Sequence, residues 1–144
     1  MATISRKLST VSRLINMYRS EYSPNDLPGI SHGYIFAIYN HPGMTQDKIA
    51  KHLFLNKSTV ARHLAKLENS GYITREPSIE DKRELLVYPT EKLKEVYPVI
   101  RDITLGWNNI IAQAITEDEL EKFNTILDKI LEKSIEINSK EVKK

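Results

Sequence analysis

Apolar positions recur at helical spacing along most of the chain and give way to two short strand-like stretches near its middle. Ile4, Leu8, Val11, Ile15 and Tyr18 follow in steps of four and three, a narrow apolar stripe suited to a helix that packs lengthwise on another. Ser23-Pro24-Asn25-Asp26-Leu27-Pro28-Gly29 breaks it. A short apolar helix is expected from Ser31 to Asn40, with Ser31 as N-cap and His41-Pro42-Gly43 as its stop. Thr45 is the N-cap of the next helix, whose buried side holds Ile49, Ala50 and Leu53 and whose first turn carries Asp47, favourable to the helix dipole. After a break at Phe54-Leu55-Asn56, Asn56 caps a helix from Lys57 to about Asn69. Its apolar face is Val60, Leu64 and Leu67, and Gly71 ends it. Two short helices joined by so tight a turn form a helix-turn-helix unit.

Tyr72-Ile73-Thr74-Arg75 and Leu85-Leu86-Val87-Tyr88-Pro89 then read as two strands around the charged segment Glu76 to Glu84, a β-hairpin or wing. Thr90 caps a long helix carrying Val96, Ile100, Ile103, Trp107, Ile110 and Ala114, and Pro98 within that run implies a kink or a late start. Thr116-Glu117-Asp118-Glu119 is a capping box opening the last helix, lined by Leu120, Phe123, Leu127, Ile130 and Leu131. The expected architecture is mainly α with a small β wing: a winged helix-turn-helix domain over residues 30–90, flanked by helical dimerisation segments at 1–22 and 91–138, with a flexible polar tail at 139–144.

Composition narrows the function classes. With 40% hydrophobic and 28% charged residues the chain is an ordinary globular one. The absence of cysteine removes disulfides, thiol switches and cysteine-containing metal sites. His32, His41, His52 and His63 form no i, i+4 pair, so no metal or other cofactor is expected. No Gly-x-Ser-x-Gly or phosphate-binding glycine loop is present, which argues against an enzyme. The longest apolar run, Tyr34 to Tyr39, is too short to span a bilayer, and the N-terminus lacks a signal-peptide pattern, so a cytoplasmic protein is expected.

The net charge of +2 is uninformative, but its distribution is not. From Lys48 through Leu67 there is no acidic residue, while Lys48, Lys51, Lys57, Arg62 and Lys66 are basic, with His52 and His63 available to add charge. Opposite the apolar face of the second helix lie Ser58, Arg62 and Ala65 or Lys66, with Thr59 and His63 on the flanks. Arginine bonds guanine edges in bidentate fashion, hydroxyls reach bases or phosphates, and small apolar groups meet thymine methyls. The first turn, Asn56 and Lys57 to Thr59, offers free backbone N–H groups to a phosphate. The plainer reading is a solvated basic face. At the wing tip Lys82 and Arg83 are placed to enter a minor groove, and Asp81 pairs with a neighbouring arginine to fix its pose, or the tip is an ordinary hydrophilic turn.

The run from Asn56 to Arg75, with Asp81-Lys82-Arg83 and Leu86-Val87-Tyr88-Pro89-Thr90-Glu91-Lys92 after it, resembles the MarR family of bacterial transcriptional regulators. The resemblance rests on a Ser/Thr-Val-x-Arg recognition helix, a Leu-Glu-x-x-Gly exit, an Arg opening the wing, an Asp-x-Arg wing tip and a helix-starting Thr. It implies a homodimer, probing a pseudo-palindromic double-stranded operator and most often repressing, with Ser58, Thr59 and Arg62 in the major groove and Arg75, Asp81 and Arg83 in the wing. It also implies release by a small aromatic or anionic effector, for which Tyr18, Tyr34, Tyr39 and Trp107 would line a pocket with Arg13 or Arg19 as counter-ion. The alternative for those aromatics is packing between helices. Leu93 stands where the family usually has Gly, and Pro89 where it has Leu, which questions the strand-to-helix junction. The rival function is a winged-helix protein–protein module without sequence-specific DNA binding, which would need no basic recognition helix.

Overall fold

The computed structural model describes residues 3–142. In chain order the elements are α1 (Thr3–Tyr22), α2 (Ser31–Asn40), β1 (Met44–Thr45), α3 (Gln46–Leu53), α4 (Lys57–Asn69), β2 (Ile73–Pro77), β3 (Leu85–Pro89), α5 (Glu91–Ala112) and α6 (Glu117–Val142). They fall into two compact units, one reaching to Leu105 and one starting at Gly106.

The first unit is built on one core. Ile35 and Ile38 of α2, Ile49 and Ala50 of α3, Val60, Leu64 and Leu67 of α4, Ile73 and Val87 of the sheet, and Leu93 and Ile100 of α5 are all buried together with Leu27, Tyr34 and Tyr72. The helix-turn-helix forms as the caps dictate. Thr45 accepts from the Lys48 N–H at 3.2 Å, and Asn56 accepts from the Thr59 N–H at 2.8 Å. Between them Phe54 adopts the left-handed region at φ 55°, a conformation that costs a non-glycine residue about 1–2 kcal/mol. The turn is held by Leu55 N–H donating to the Ala50 carbonyl at 3.0 Å.

The sheet has three antiparallel strands in the order β1-β3-β2. The hairpin pairs Ile73 with Pro89 and Pro77 with Leu85, so its first strand runs two residues beyond the expected Arg75. The short β1, which pairs Met44 with Val87, was not legible in advance: two residues carry no periodicity, and the pairing partner is remote in sequence. The unusual Pro89 and Leu93 are accommodated. Pro89 ends β3, the Thr90 hydroxyl donates to the Gly71 carbonyl at 2.6 Å, and Leu93 is fully buried in the core. Helix α5 begins at Glu91 and passes through Pro98, so there is no late start.

Ser31 is not the cap of α2. Ile30 occupies that position without a side-chain cap bond, and the buried Ser31 hydroxyl instead meets His63 Nε2 at 3.0 Å. Beside it the Ser23 hydroxyl donates to the Arg19 carbonyl at 2.6 Å, so His32 Nε2–H donates to Ser23 Oγ at 2.7 Å and Nδ1 is left as a bare acceptor. Burial, with the nearby Arg19 charge, drives His32 down to about 4. An unfolded chain binds that proton with ordinary affinity while the folded chain refuses it, so stability falls as pH drops below about 6.5 and keeps falling toward 4. Denaturant titrations should show about 2 kcal/mol less stability at pH 5 than at pH 7, and a flat profile would contradict the assignment.

The second unit holds the end of α5 and α6. The capping box forms as expected: Thr116 N–H donates to Glu119 Oε2 at 3.0 Å and Glu119 N–H to Thr116 Oγ1 at 3.2 Å. Helical backbone continues to Val142, past residue 139 where a flexible tail was expected, and Ser139 Oγ donates back to the Ile135 carbonyl; residues 143–144 lie outside the described part. Phe123, Ile126, Leu131 and Ile137 are about half exposed. No helix among the described residues is long and apolar enough to cross a membrane.

Candidate nucleic-acid interface

Helix α4 buries Val60, His63, Leu64 and Leu67 and presents Lys57, Ser58, Arg62 and Lys66 to solvent, with Thr59, Ala61 and Ala65 half-buried at the margins. Arg62 and Lys66 take no hydrogen-bonding or ionic partner among the described residues, so both cations are free for a ligand. The start of the helix is tied down. Asn56 Oδ1 accepts from both the Thr59 N–H and the Ser58 hydroxyl (2.9 Å), and Lys57 pairs with Asp47 at 3.3 Å across the two helix starts. Lys48, Lys51 and His52 of α3 are exposed as well, and no carboxylate interrupts the sequence from Lys48 to Leu67.

His63 does not belong to this exposed set. The expected flank position is buried, its ring stacked on Tyr34 at 4.2 Å between centroids and bonded to Ser31. Burial, helped by Lys66, lowers its proton affinity, so the ring is neutral and adds no charge to the face. The reason is helical geometry: position 63 falls three after Val60 and beside Leu64, inside the apolar stripe. Its role is to seat α4 on α2.

Arg75 is likewise committed elsewhere. Its Nη1 donates to Gln46 Oε1 and its Nη2 to Glu68 Oε1, each at 3.1 Å, while its backbone N–H donates to Glu68 Oε2 at 3.1 Å. With 18% of its side chain exposed, it braces the wing root against α3 and α4. Gln46, another member of the brace, carried no sequence signal, because it lies 29 residues from its partner; Glu68 entered the sequence reading only as part of the Leu-Glu-x-x-Gly exit.

The wing tip is ordered by its own polar groups. Ser78 N–H donates to the Glu84 carbonyl at 2.8 Å and Glu84 N–H to the Asp81 carbonyl at 2.9 Å. Arg83 donates to Asp81 from its backbone N–H (3.0 Å), Nε (3.1 Å) and Nη2 (3.3 Å). Those bonds hold the Asp81 carboxyl below the ordinary carboxylate range. The pairing fixes the direction of a guanidinium that is 91% exposed. Lys82 beside it is exposed and unpaired.

The aromatic residues expected around an effector are dispersed within the first unit. Tyr34 lies in the core on His63, Tyr39 stacks on Tyr97 at 3.6 Å, and Tyr18 leans on Tyr22 at 4.8 Å. Arg13 reaches only Thr10 Oγ1 at 3.2 Å, and the half-buried Trp107 belongs to the second unit. Among the described residues, the buried side-chain nitrogens without a hydrogen-bond partner are Arg19 Nε, His32 Nδ1 and Arg75 Nε. His41 and His52, eleven positions apart, meet edge to face at 5.7 Å.

The sequence model of the MarR family matches residues 25–84, which spans α2, the helix-turn-helix and the first strand and tip of the wing. Over all of this chain and 96% of the other, the sequence is 30% identical to the HTH-type transcriptional regulator YybA of Bacillus subtilis. A MarR transcriptional regulator from Methanosarcina mazei shares the fold with a TM-score of 0.87 at 22% identity, over 95% of this chain and 99% of that one. A putative MarR family transcriptional regulator from Listeria monocytogenes, solved with a 26mer DNA, superposes with a TM-score of 0.81 at 25% identity, over 92% of this chain and 89% of that one. With the winged architecture, the helix-turn-helix and these full-length likenesses in agreement, the chain belongs to the MarR family of transcriptional regulators.

Proposed function

We propose that the protein is a homodimeric repressor that binds a pseudo-palindromic DNA duplex, with α4 in the major groove and the wing in the adjacent minor groove. The observation that carries the reading is the solvent face of α4: Ser58, Arg62 and Lys66 are exposed on a capped helix whose sequence holds no acidic residue before Glu68. In that face Arg62 is the base-reading residue, Ser58 and Thr59 serve bases or phosphates, and Lys57 and Lys66 serve phosphates. Arg83, aimed by Asp81, supplies the minor-groove contact.

Support for a dimer comes from surface left uncovered on one chain. On α1, Ile4, Leu8 and Val11 are 56%, 37% and 44% exposed, and α6 exposes Phe123, Ile126 and Leu131. Stripes of this kind mark an interface in a soluble protein. Half-sites about 10 bp apart would match two recognition helices one helical turn apart. Release by a small aromatic or anionic effector completes the proposal.

The deciding experiment is a salt titration of duplex binding. The logarithm of the binding constant should fall linearly with the logarithm of salt concentration, by about 0.9 for each phosphate contacted. Absence of binding at low salt would reject DNA recognition in favour of a protein–protein module.

A further inference from the structure

The wing tip carries one side chain that its charge pattern leaves unexplained. Ile79 is 98% exposed, the most accessible of the large apolar residues. Most of the others lie on α1, α5 and α6 or in the helix-turn-helix turn at Phe54 and Leu55, whereas Ile79 stands alone at the end of a hairpin. Its position is defined by the bond that closes the tip: Ser78 N–H donates to the Glu84 carbonyl. Ile79 directly follows Ser78 and Arg83 directly precedes Glu84, so each stands one residue into the tip from the bond that closes it.

Charge alone does not equip this hairpin for DNA. Residues 75–84 hold four acidic and three basic side chains. Arg75 is spent on Glu68, and Arg83 already carries Asp81 beside it. A wing of that balance gains little from phosphate potential, and its attraction has to come from elsewhere. The walls of a minor groove are deoxyribose C–H surface, and apolar side chains are known currency there. Isoleucine is β-branched and stiff at χ1, so it loses little rotamer freedom when it is buried. A solvent-facing isoleucine therefore gains by exchanging water for sugar, and it does so next to the one guanidinium held ready by Asp81.

We infer that Ile79 is a DNA-contacting residue, seated against the sugar walls of the minor groove beside Arg83. The inference rests on the DNA-binding reading above. Its probe is a duplex selected from a random library by the unaltered full-length protein, with affinities measured over a range of salt for Ile79→Ser and Ile79→Leu. Ile79→Ser should weaken binding about tenfold. The salt slope should stay unchanged, because no phosphate contact is removed. Ile79→Leu should stay within about twofold of the unaltered protein. Melting temperatures of both variants should match the parent, since the side chain is 98% exposed in the fold. If Ile79→Ser binds within about twofold of a parent that binds tightly, the inference falls and DNA recognition stands. A weakened variant with a shallower salt slope would also overturn it, by assigning the loss to a phosphate contact. If the parent selects no duplex at all, the DNA-binding reading fails and takes the inference with it.

Discussion

Replacing Arg62 by alanine is expected to lower affinity for a selected duplex by at least about 30-fold while leaving the protein folded. Arg62 is exposed on α4 and has no hydrogen-bonding or ionic partner among the described residues. Its removal should therefore change stability by no more than about 0.5 kcal/mol, as for surface substitutions generally. A bidentate arginine–base contact is worth about 1–3 kcal/mol, and the proposed two-fold dimer would lose it twice, which multiplies the penalty. Fluorescence anisotropy on the selected duplex, with urea denaturation alongside, separates the two effects. Lys66→Ala serves as the contrast: affinity should fall evenly across sequences and the salt slope should shrink by about one phosphate. Equal affinity of Arg62→Ala for the selected duplex would move the reading head elsewhere.

Gly29→Ala should destabilise the fold by more than about 3 kcal/mol, at or beyond the upper end of ordinary overpacking. A Cβ at Gly29 would overlap the main-chain carbonyl of Asn16, at a place where α1 and the start of α2 touch backbone to backbone. The segment has little slack. Gly29 N–H donates to Ser20 Oγ at 2.7 Å, Ser31 N–H to the Pro28 carbonyl at 2.8 Å and His32 N–H to the Gly29 carbonyl at 3.2 Å. Relief would require moving α1, because the obstacle is a peptide group and not the end of a flexible side chain. Gly33→Ala is the internal control. There a Cβ meets only Leu53 Cδ2, at 3.5 Å, and alanine inside a helix should stabilise by about 0.5–1 kcal/mol. Urea titrations of the two variants should move in opposite directions, and equal midpoints would show that the α1–α2 approach is more pliable than the geometry implies.

The two predictions draw on different kinds of information. Arg62 could be picked out from the chain alone, because the periodicity of Val60, Leu64 and Leu67 places it on the opposite face and the absence of acids from Lys48 to Leu67 makes that face cationic. Gly29 could only be called part of a break, since the carbonyl that forbids its Cβ belongs to another helix.

The same division holds for the fold and the site as a whole. Caps, helical stripes and hairpin alternation are written within a few consecutive residues. Thr45, Asn56 and the Thr116–Glu119 box therefore act as their local sequence demands, and α4 spans Lys57–Asn69 as expected. The Asp81–Arg83 pair, two residues apart, is of the same kind. Partners far apart in the chain are not written locally. Ser31 left its capping role for His63, 32 residues away, and that contact turned a histidine expected on the flank into a support for α4. Arg75 left the wing surface for Gln46 and Glu68. By itself, then, the sequence determined which segments are helices, where the two wing strands lie and which face of α4 is cationic, because those follow from local spacing and charge. Tertiary structure alone decided which polar side chains remain free to meet a ligand, because a buried donor or acceptor must find a partner, and only packing brings that partner within reach.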